Sequence, residues 1–423
     1  MSALALLLHR RGVPVRGSDA KQSEFTQILS ANGIPIHIGN REEITEENVV
    51  YTGAIEPTNP QLCAAKQAGK RLYTRSEFLG KLAEEYPQVL SVAGCHGKTS
   101  TTSMLSHIFS CANRKFTCHI GGEDSKFGNF YTSTDGNAEG CFITEACEFQ
   151  RSFLSLKSTV AIVLNTDKDH TDCYKSDEDL LSAYRAFAEQ AEQVVVNADD
   201  VRARDFPHSV SYGLYSGNIR AEKLREQGEK YSFTVSERGL PVIRIQLKVV
   251  GRYQVANALA AYSAAKLLGF SPSEIKLGLE DFDGVKRRFE HVGTIGGIPV
   301  VCDYAHHPRE ISVAYAAAEQ ICRGTVRLVF QPHTYTRTRD FMKDFLTVLK
   351  RAENPIIYRT FAAREPFMFE GSAIALVSHL PEARYEQSPE RLRQLFLQDC
   401  KKDDLILVLG AGDIYDTVKS ILD

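Results

Sequence analysis

Along the chain, short apolar runs that end in polar or glycine-bearing residues alternate with stretches of helical periodicity. The opening "MSALALLLHRRG" spaces its apolar residues as an amphipathic helix entering a core. It is followed by "VPVRGSD" (13–19), "IPIHIG" (34–39) and "NVVYTGAI" (48–55), which read as strands bounded by Gly, Asp or Pro. Helix and strand signals in alternation predict a parallel sheet. The order is unusual at its start: a nucleotide-binding βαβ unit opens on a strand and a glycine-rich turn, whereas this pattern opens on the helix.

A second segment begins at "QVLSVA" (88–93) and continues through "GCFITE" (140–145), "TVAIVLNTDKDH" (159–170) and "QVVVNADD" (193–200), with a helix at about 177–192. "KYSFTV" (230–235) and "VIRIQLKV" (242–249) alternate apolar and polar residues, as half-exposed antiparallel strands do. The Ala-rich "YQVANALAAYSAAKLLG" then predicts a helix ending at Gly269. From about 289 the strand-then-helix pattern returns in "IPVVCDYAHHP", "TVRLVFQPHTYTRTRD", "NPIIYRTFAARE" and "DLILVLGAGD". Each apolar run meets a polar loop at its C-terminal end, the rim where open α/β sheets bind ligands. The expected class is α/β, and 423 residues suit three domains, at 1–87, 88–288 and 289–423.

Composition narrows the partners. A net charge of −3 with 24% charged residues lacks the basic excess that nucleic acid or an anionic membrane surface would favour. The opening apolar run is far below the roughly 20 residues of a membrane span, so no membrane insertion is expected. Ten cysteines without a CxxC pair fit reduced thiols in a cytoplasm better than a disulfide framework or a zinc ribbon.

The densest chemistry lies in "QVLSVAGCHGKTSTTSML". A Walker loop would need its outer glycine at position 92, which is Val92; the loop here is the shorter Gly94-Cys95-His96-Gly97-Lys98-Thr99. Strand, glycine turn and helix together present backbone N–H groups and a helix dipole to an anion, and Lys98 adds a full charge for the β- and γ-phosphates. The hydroxyl of Thr99 or Ser100 would reach Mg²⁺. The plainer alternative is a Gly-Lys turn before a helix. Glu145 and His170 end strands that share an edge with Lys98 in a parallel sheet. Taken singly, they are a solvated loop acid and a structural imidazole; beside a phosphate loop they become metal-ligand candidates, although Mg²⁺ prefers oxygen. Cys95, next to a helix N-terminus and Lys98, is expected to have a lowered pKa.

"GVKRRFEHVG" (284–293) carries three consecutive cations, either a solvated surface or an Arg serving a transferring phosphoryl group. "DYAHHP" (303–308) and "QPHTYTRTRD" (331–340) set His, Tyr and Arg just after strands, which suits anion or substrate contact better than zinc. "GAGD" (410–413) is only a fragment of a dinucleotide fingerprint.

In combination, "GCHGKTSTT", "NTDKDHTDCY", "VNADD", "GRYQVANALAA", "GVKRRFE", "DYAHHP", "FQPHTYTRTRDF" and "LGAGDIYD" resemble the Mur ligase family, in order from about residue 13 to the C-terminus. The family's GT(H/N)GKT(S/T) loop is similarly short. RRFE, DYAHHP and QPHTYTRTRD are most similar to the member that joins L-alanine to UDP-N-acetylmuramate.

The resemblance implies a Rossmann-like N-terminal domain for the UDP-sugar, a central P-loop ATPase-like domain with a mixed sheet, and a C-terminal Rossmann-like domain for the amino acid. It implies ATP and Mg²⁺, an acyl-phosphate intermediate, and a monomer or homodimer working in peptidoglycan precursor synthesis. By position, Gly94, Cys95, His96, Gly97, Lys98, Thr99 and Ser100 would hold the phosphates. Thr99, Ser100, Glu145 and His170 would serve the metal, Asn257 adenine, Arg288 the γ-phosphate and Asp303 the ribose. Lys98, Glu145, His170 and Arg288 would be the catalytic set. Tyr304, His306, His333 and Arg337 would line the alanine and muramyl-carboxylate end, with Asp19 and Thr52 at the UDP.

Three departures qualify the resemblance. Where well-known members read EADESD, this chain reads Glu145-Ala146-Cys147-Glu148-Phe149-Gln150, two carboxylates fewer. Tyr253-Gln254 replaces a common His-Asn pair. The family's first strand and GxGGxGMS loop are missing, so either Met1 is internal to a longer protein or part of the UDP site is lost. A ligase for another acid or peptide, and a catalytically impaired nucleotide or UDP-sugar binder, are the competing expectations.

Overall fold

The structure, a computed structural model, describes residues 1–39, 44–53, 55–167 and 173–423. They form two compact units, one of residues 1–222, 235–243 and 257–281, the other of residues 223–234, 244–256 and 282–423. Among the described residues no helix is long and apolar enough to cross a membrane.

The first unit opens, as its pattern predicts, on a helix, Ser2–Arg10, that buries Ala3, Leu4 and Leu7. The short strands after it do not join one sheet. Gly17–Asp19 pairs in parallel with Ile36–Ile38, and Asn48–Tyr51 pairs in parallel with Arg71–Thr74, as two separate ladders. None of the residues in these four strands is fully buried, so no apolar face draws the ladders into a continuous layer.

The main sheet is built where the apolar runs are longest. Its spatial order is Leu240–Leu247, Lys230–Glu237, Ile219–Gln227, Val210–Gly213, Gln193–Asn197, Val160–Val163, Gln88–Ala93, Cys141–Ala146, Phe116–Asp124, Gly128–Thr132. Gln88–Ala93 and Val160–Val163 are buried almost throughout, the signature of strands covered on both faces. Phe116–Asp124 has no matching signal in the sequence, because "FTCHIGGED" interleaves polar residues that the fold nonetheless buries, among them Thr117 and His119. Parallel pairing sets Val92 opposite Glu145 and Ala93 opposite both Ala146 and Val163, which brings three strand ends to one rim.

From that rim the helix Lys98–Cys111 runs back through the core with Thr99 to Phe109 buried. It lies so close to the helix Pro272–Asp281 that a Cβ on Gly278 would stand 2.3 Å from the Ile108 Cα.

In the second unit six strands lie in the order Glu290–Ile295, Ile298–Asp303, Leu405–Leu409, Val326–Phe330, Ile356–Tyr358, Arg384–Glu386. All neighbours pair in parallel except the first two. Alternate residues feed two apolar layers, Val301, Leu328, Phe330 and Leu407 on one face, Val300, Val329, Ile406 and Val408 on the other. The strand order reverses around Leu405–Leu409; Asp303 and Gln331 stand at the C-terminal ends of the two strands flanking it, and Arg359 at the end of the next strand, Ile356–Tyr358.

Candidate active site

In the first unit the phosphate-loop geometry follows from its glycines. Gly94 and Gly97 have φ of +138° and +87°, the left-handed region in which a side chain is strained. A Cβ on Gly97 would stand 2.5 Å from Asn257 Oδ1, and one on Gly94 would stand 2.9 Å from Leu164 Cβ. Asn257 thus packs against the loop itself. Gly97 caps the helix without any side-chain hydrogen bond, so the first-turn amides keep their capacity for an anion.

Lys98 reaches back over the loop. Its Nζ donates to the carbonyls of Gly94 (2.5 Å) and Cys95 (3.3 Å) and to the carboxylate of Glu148 at 3.0 and 3.3 Å. Burial works to lower the ammonium's pKa, but the Glu148 carboxylate together with the neighbouring Cys147 and Cys95 outweighs it, and Lys98 is held above its ordinary range. The same burial raises the pKa of the Cys147 thiol beside them. Cys95 Sγ lies 2.7 Å from the Asp167 carbonyl oxygen and 3.8 Å from the Tyr184 hydroxyl. The His96 backbone N–H donates to Asn165 Oδ1 (3.0 Å), and its ring Nε2 lies 3.2 Å from Asp167 Oδ2.

Glu145 accepts the Gly121 N–H at 2.6 Å on the rim that carries the loop. Thr99 and Ser100 are buried in the first turn of the helix. Hydroxyl and carboxylate oxygens are the donors a hard divalent cation takes, so these residues fit Mg²⁺. His170, the other metal candidate, lies outside the described residues. Glu148 was not singled out by its motif, and what could have found it is the glutamate three positions after Glu145 in "EACEFQ". Asp19 and Thr52 stand at or just beyond the ends of strands in the two different short ladders. Asp19 Oδ1 accepts the Lys21 N–H, and a Cβ on Gly53 would meet Gln150 Oε1 at 2.6 Å.

The second unit gathers its candidates into one continuous cluster. The Arg288 guanidinium lies 5.1 Å from the Tyr304 ring centre and 3.8 Å from Glu310. The Tyr304 and His306 rings are 5.4 Å apart, those of His306 and His333 are 5.7 Å apart, and Arg337 Nη1 is 3.3 Å from His333 Nδ1. Glu310 holds this loop: its carboxylate accepts the backbone N–H groups of His306 and His307 at 3.0 and 3.2 Å, closing a capping box legible in "HHPRE". Thr334 is strained, a β-branched residue at φ +65°, pinned by a 2.9 Å bond from its N–H to the Phe361 carbonyl. Glu365 accepts the next two N–H groups, at 2.5 Å from Tyr335 and 2.9 Å from Thr336. "GAGD" closes the same rim: Gly410 and Gly412 crowd Gln331 and Phe361, and Arg287 donates to the Gly412 carbonyl at 2.8 Å.

Asp303 is 9% exposed and accepts the N–H groups of Phe289 and Ala305, both at 2.8 Å. Burial pushes its pKa up to about 6; Glu310 adds to the rise and Arg288 opposes it. A carboxyl raised above its unfolded value contributes stability that is complete below the unfolded pKa and is lost as pH climbs through the folded one. Relative to Asp303→Asn, the wild-type protein should therefore lose about 1 kcal/mol of unfolding free energy between pH 5 and 7. Urea titrations of both proteins at the two pH values check this, and a constant difference would refute it.

Family models match in sequence: Mur ligase family, catalytic domain, at 1–87; Mur ligase middle domain at 92–265; and Mur ligase, glutamate ligase domain, at 287–412. A UDP-N-acetylmuramate–L-alanine ligase of Agathobacter rectalis is 35% identical over 444 residues, covering 100% of this chain and 95% of its own. In fold, the chain is similar to UDP-N-acetylmuramate-alanine ligase MurC of Thermotoga maritima, with a TM-score of 0.86 at 24% identity, covering 100% and 95% of the two chains. MurF ligase of Thermotoga maritima, solved in complex with ADP, gives 0.66 at 14% identity, covering 98% and 96%. This chain belongs to the Mur ligase family.

Proposed function

We propose that this protein uses ATP to join L-alanine to the carboxylate of UDP-N-acetylmuramate in the cytoplasmic synthesis of peptidoglycan precursors. The observation that carries the chemistry is the shortened loop, with two left-handed glycines, an uncapped helix start and Lys98 folded across it. The choice of substrates rests on the name of the relative that is 35% identical over the full chain.

The work divides over three segments: 1–87 for the UDP-sugar, with Asp19 and Thr52; 88–288 for ATP; and 289–423 for the amino acid. Loop amides and Lys98 would hold the β- and γ-phosphates, with Asn257 toward adenine and Asp303 toward the ribose. Thr99, Ser100, Glu145 and His170 would hold Mg²⁺, which supplies positive charge to the phosphates when bound. A muramyl carboxylate oxygen attacks the γ-phosphorus, the bond to the ADP oxygen breaks, and Arg288 offsets charge on the moving phosphoryl group. The alanine amine then attacks the acyl carbon, inorganic phosphate leaves with the C–O electron pair, and the amine gives up a proton. Tyr304, His306, His333 and Arg337 would position the amine and the carboxylate.

The test is phosphate release from ATP, Mg²⁺, UDP-N-acetylmuramate and L-alanine. Turnover that needs all four supports the proposal. Turnover that proceeds with the sugar nucleotide or alanine omitted, or that requires a different acid, overturns the substrate assignment.

A further inference from the structure

Glu148 belongs to none of the roles assigned above, yet its carboxylate pairs with the loop's central cation. It is 1% exposed, and the chain holds it firmly. Its carbonyl accepts the Tyr174 hydroxyl at 2.5 Å and the Arg151 N–H at 2.9 Å. Gln150 and Arg151, both at positive φ, turn the backbone sharply just after it.

A lysine ammonium has three N–H donors. Here they face two carbonyls of the loop and the Glu148 carboxylate, and of these acceptors only Glu148 carries a charge. A phosphate approaching Lys98 meets an ammonium already engaged by an anion in a poorly solvated place, where like charges repel strongly. We propose that Glu148 is a positioning residue that holds Lys98 folded over its loop before nucleotide arrives and competes with the phosphates for its charge. The anchor directs the ammonium for phosphoryl transfer and weakens ground-state nucleotide binding. The idea rests on the phosphate-loop reading of the first unit.

A structural prop and a competitor predict opposite signs. Removing a prop weakens binding and catalysis together; removing a competitor tightens binding while catalysis falls. The experiment is calorimetric titration of ADP without Mg²⁺ into the whole protein and its variants. Glu148→Gln should lower the ADP Kd about tenfold, with KM for ATP falling alongside and kcat falling about tenfold or more. Lys98→Met should weaken ADP binding, and Glu148→Gln should tighten it less in the Lys98→Met background than in the wild type, because the competition for the ammonium is then absent and only the direct repulsion between carboxylate and phosphate is relieved.

An unchanged or higher Kd in Glu148→Gln overturns the proposal. Should that variant fail to fold by circular dichroism, Glu148→Asp, with its charge drawn back by one methylene, takes its place, and a Kd no lower than wild type overturns the proposal equally. Wild-type protein that binds no ADP would instead bring down the phosphate-loop reading itself.

Discussion

Lys98→Ala is expected to abolish measurable ligation, a loss on the order of several kcal/mol of transition-state stabilisation, or at least about a hundredfold in kcat. The side chain donates to the Gly94 and Cys95 carbonyls and so lies directly across the loop. The substitution also removes the ammonium that Glu148 is bonded to, and breaking a buried pair from one side costs about 3–5 kcal/mol. A lower thermal midpoint is therefore part of the expectation, and inactivity alone would not separate chemistry from folding. Lys98→Met/Glu148→Gln makes the separation, since replacing both charges is often near neutral for stability. Its midpoint should return toward wild type while turnover stays lost. Turnover that survives Lys98→Ala would remove the loop from the mechanism.

Much of this site was legible in the sequence because local chemistry and strand periodicity agree there. "QVLSVAGCHGK" is an apolar strand meeting glycines that only a left-handed turn explains, and Glu145 falls on the same rim because its strand pairs in register with Gln88–Ala93. What stayed hidden depends on contacts distant in sequence. Phe116–Asp124 is a strand paired on both sides, one in from the sheet's edge, whose polar residues are satisfied from neighbouring elements: His119 lies 3.1 Å from both Thr144 Oγ1 and Arg75 Nη2. Burial, with the Arg75 charge adding to it, lowers that imidazole's pKa to about 3, so a polar residue passes as core. The partner of Lys98 was hidden for a similar reason, since 50 residues separate it from Glu148.

The run "KRRFE" offers adjacent arginines, and the structure gives them different work. Arg287 donates to the Gly412 carbonyl, lies between the rings of Tyr304 and Tyr415 at 4.9 and 5.0 Å, and has φ of +61°. Those are the contacts of a residue that fixes the rim. Arg288 is held by its own backbone, its N–H bonded to the Val285 carbonyl at 3.0 Å and the next N–H to Asp303. Its guanidinium is set over Tyr304 beside Glu310. Arg288→Ala is accordingly expected to lower kcat by about 10³-fold, the scale of an arginine that offsets charge on a transferring phosphoryl group, with little change in thermal midpoint. Arg288→Lys should recover little of it, because a point charge replaces neither the fork nor the stacking on Tyr304. Arg287→Ala should do the reverse, lowering the midpoint with a smaller change in kcat. Single-turnover phosphate release and thermal melts on the three variants decide between them. Equal kinetic losses at both positions would mean that the cationic run acts as a diffuse charge, and Arg288 would lose its assignment.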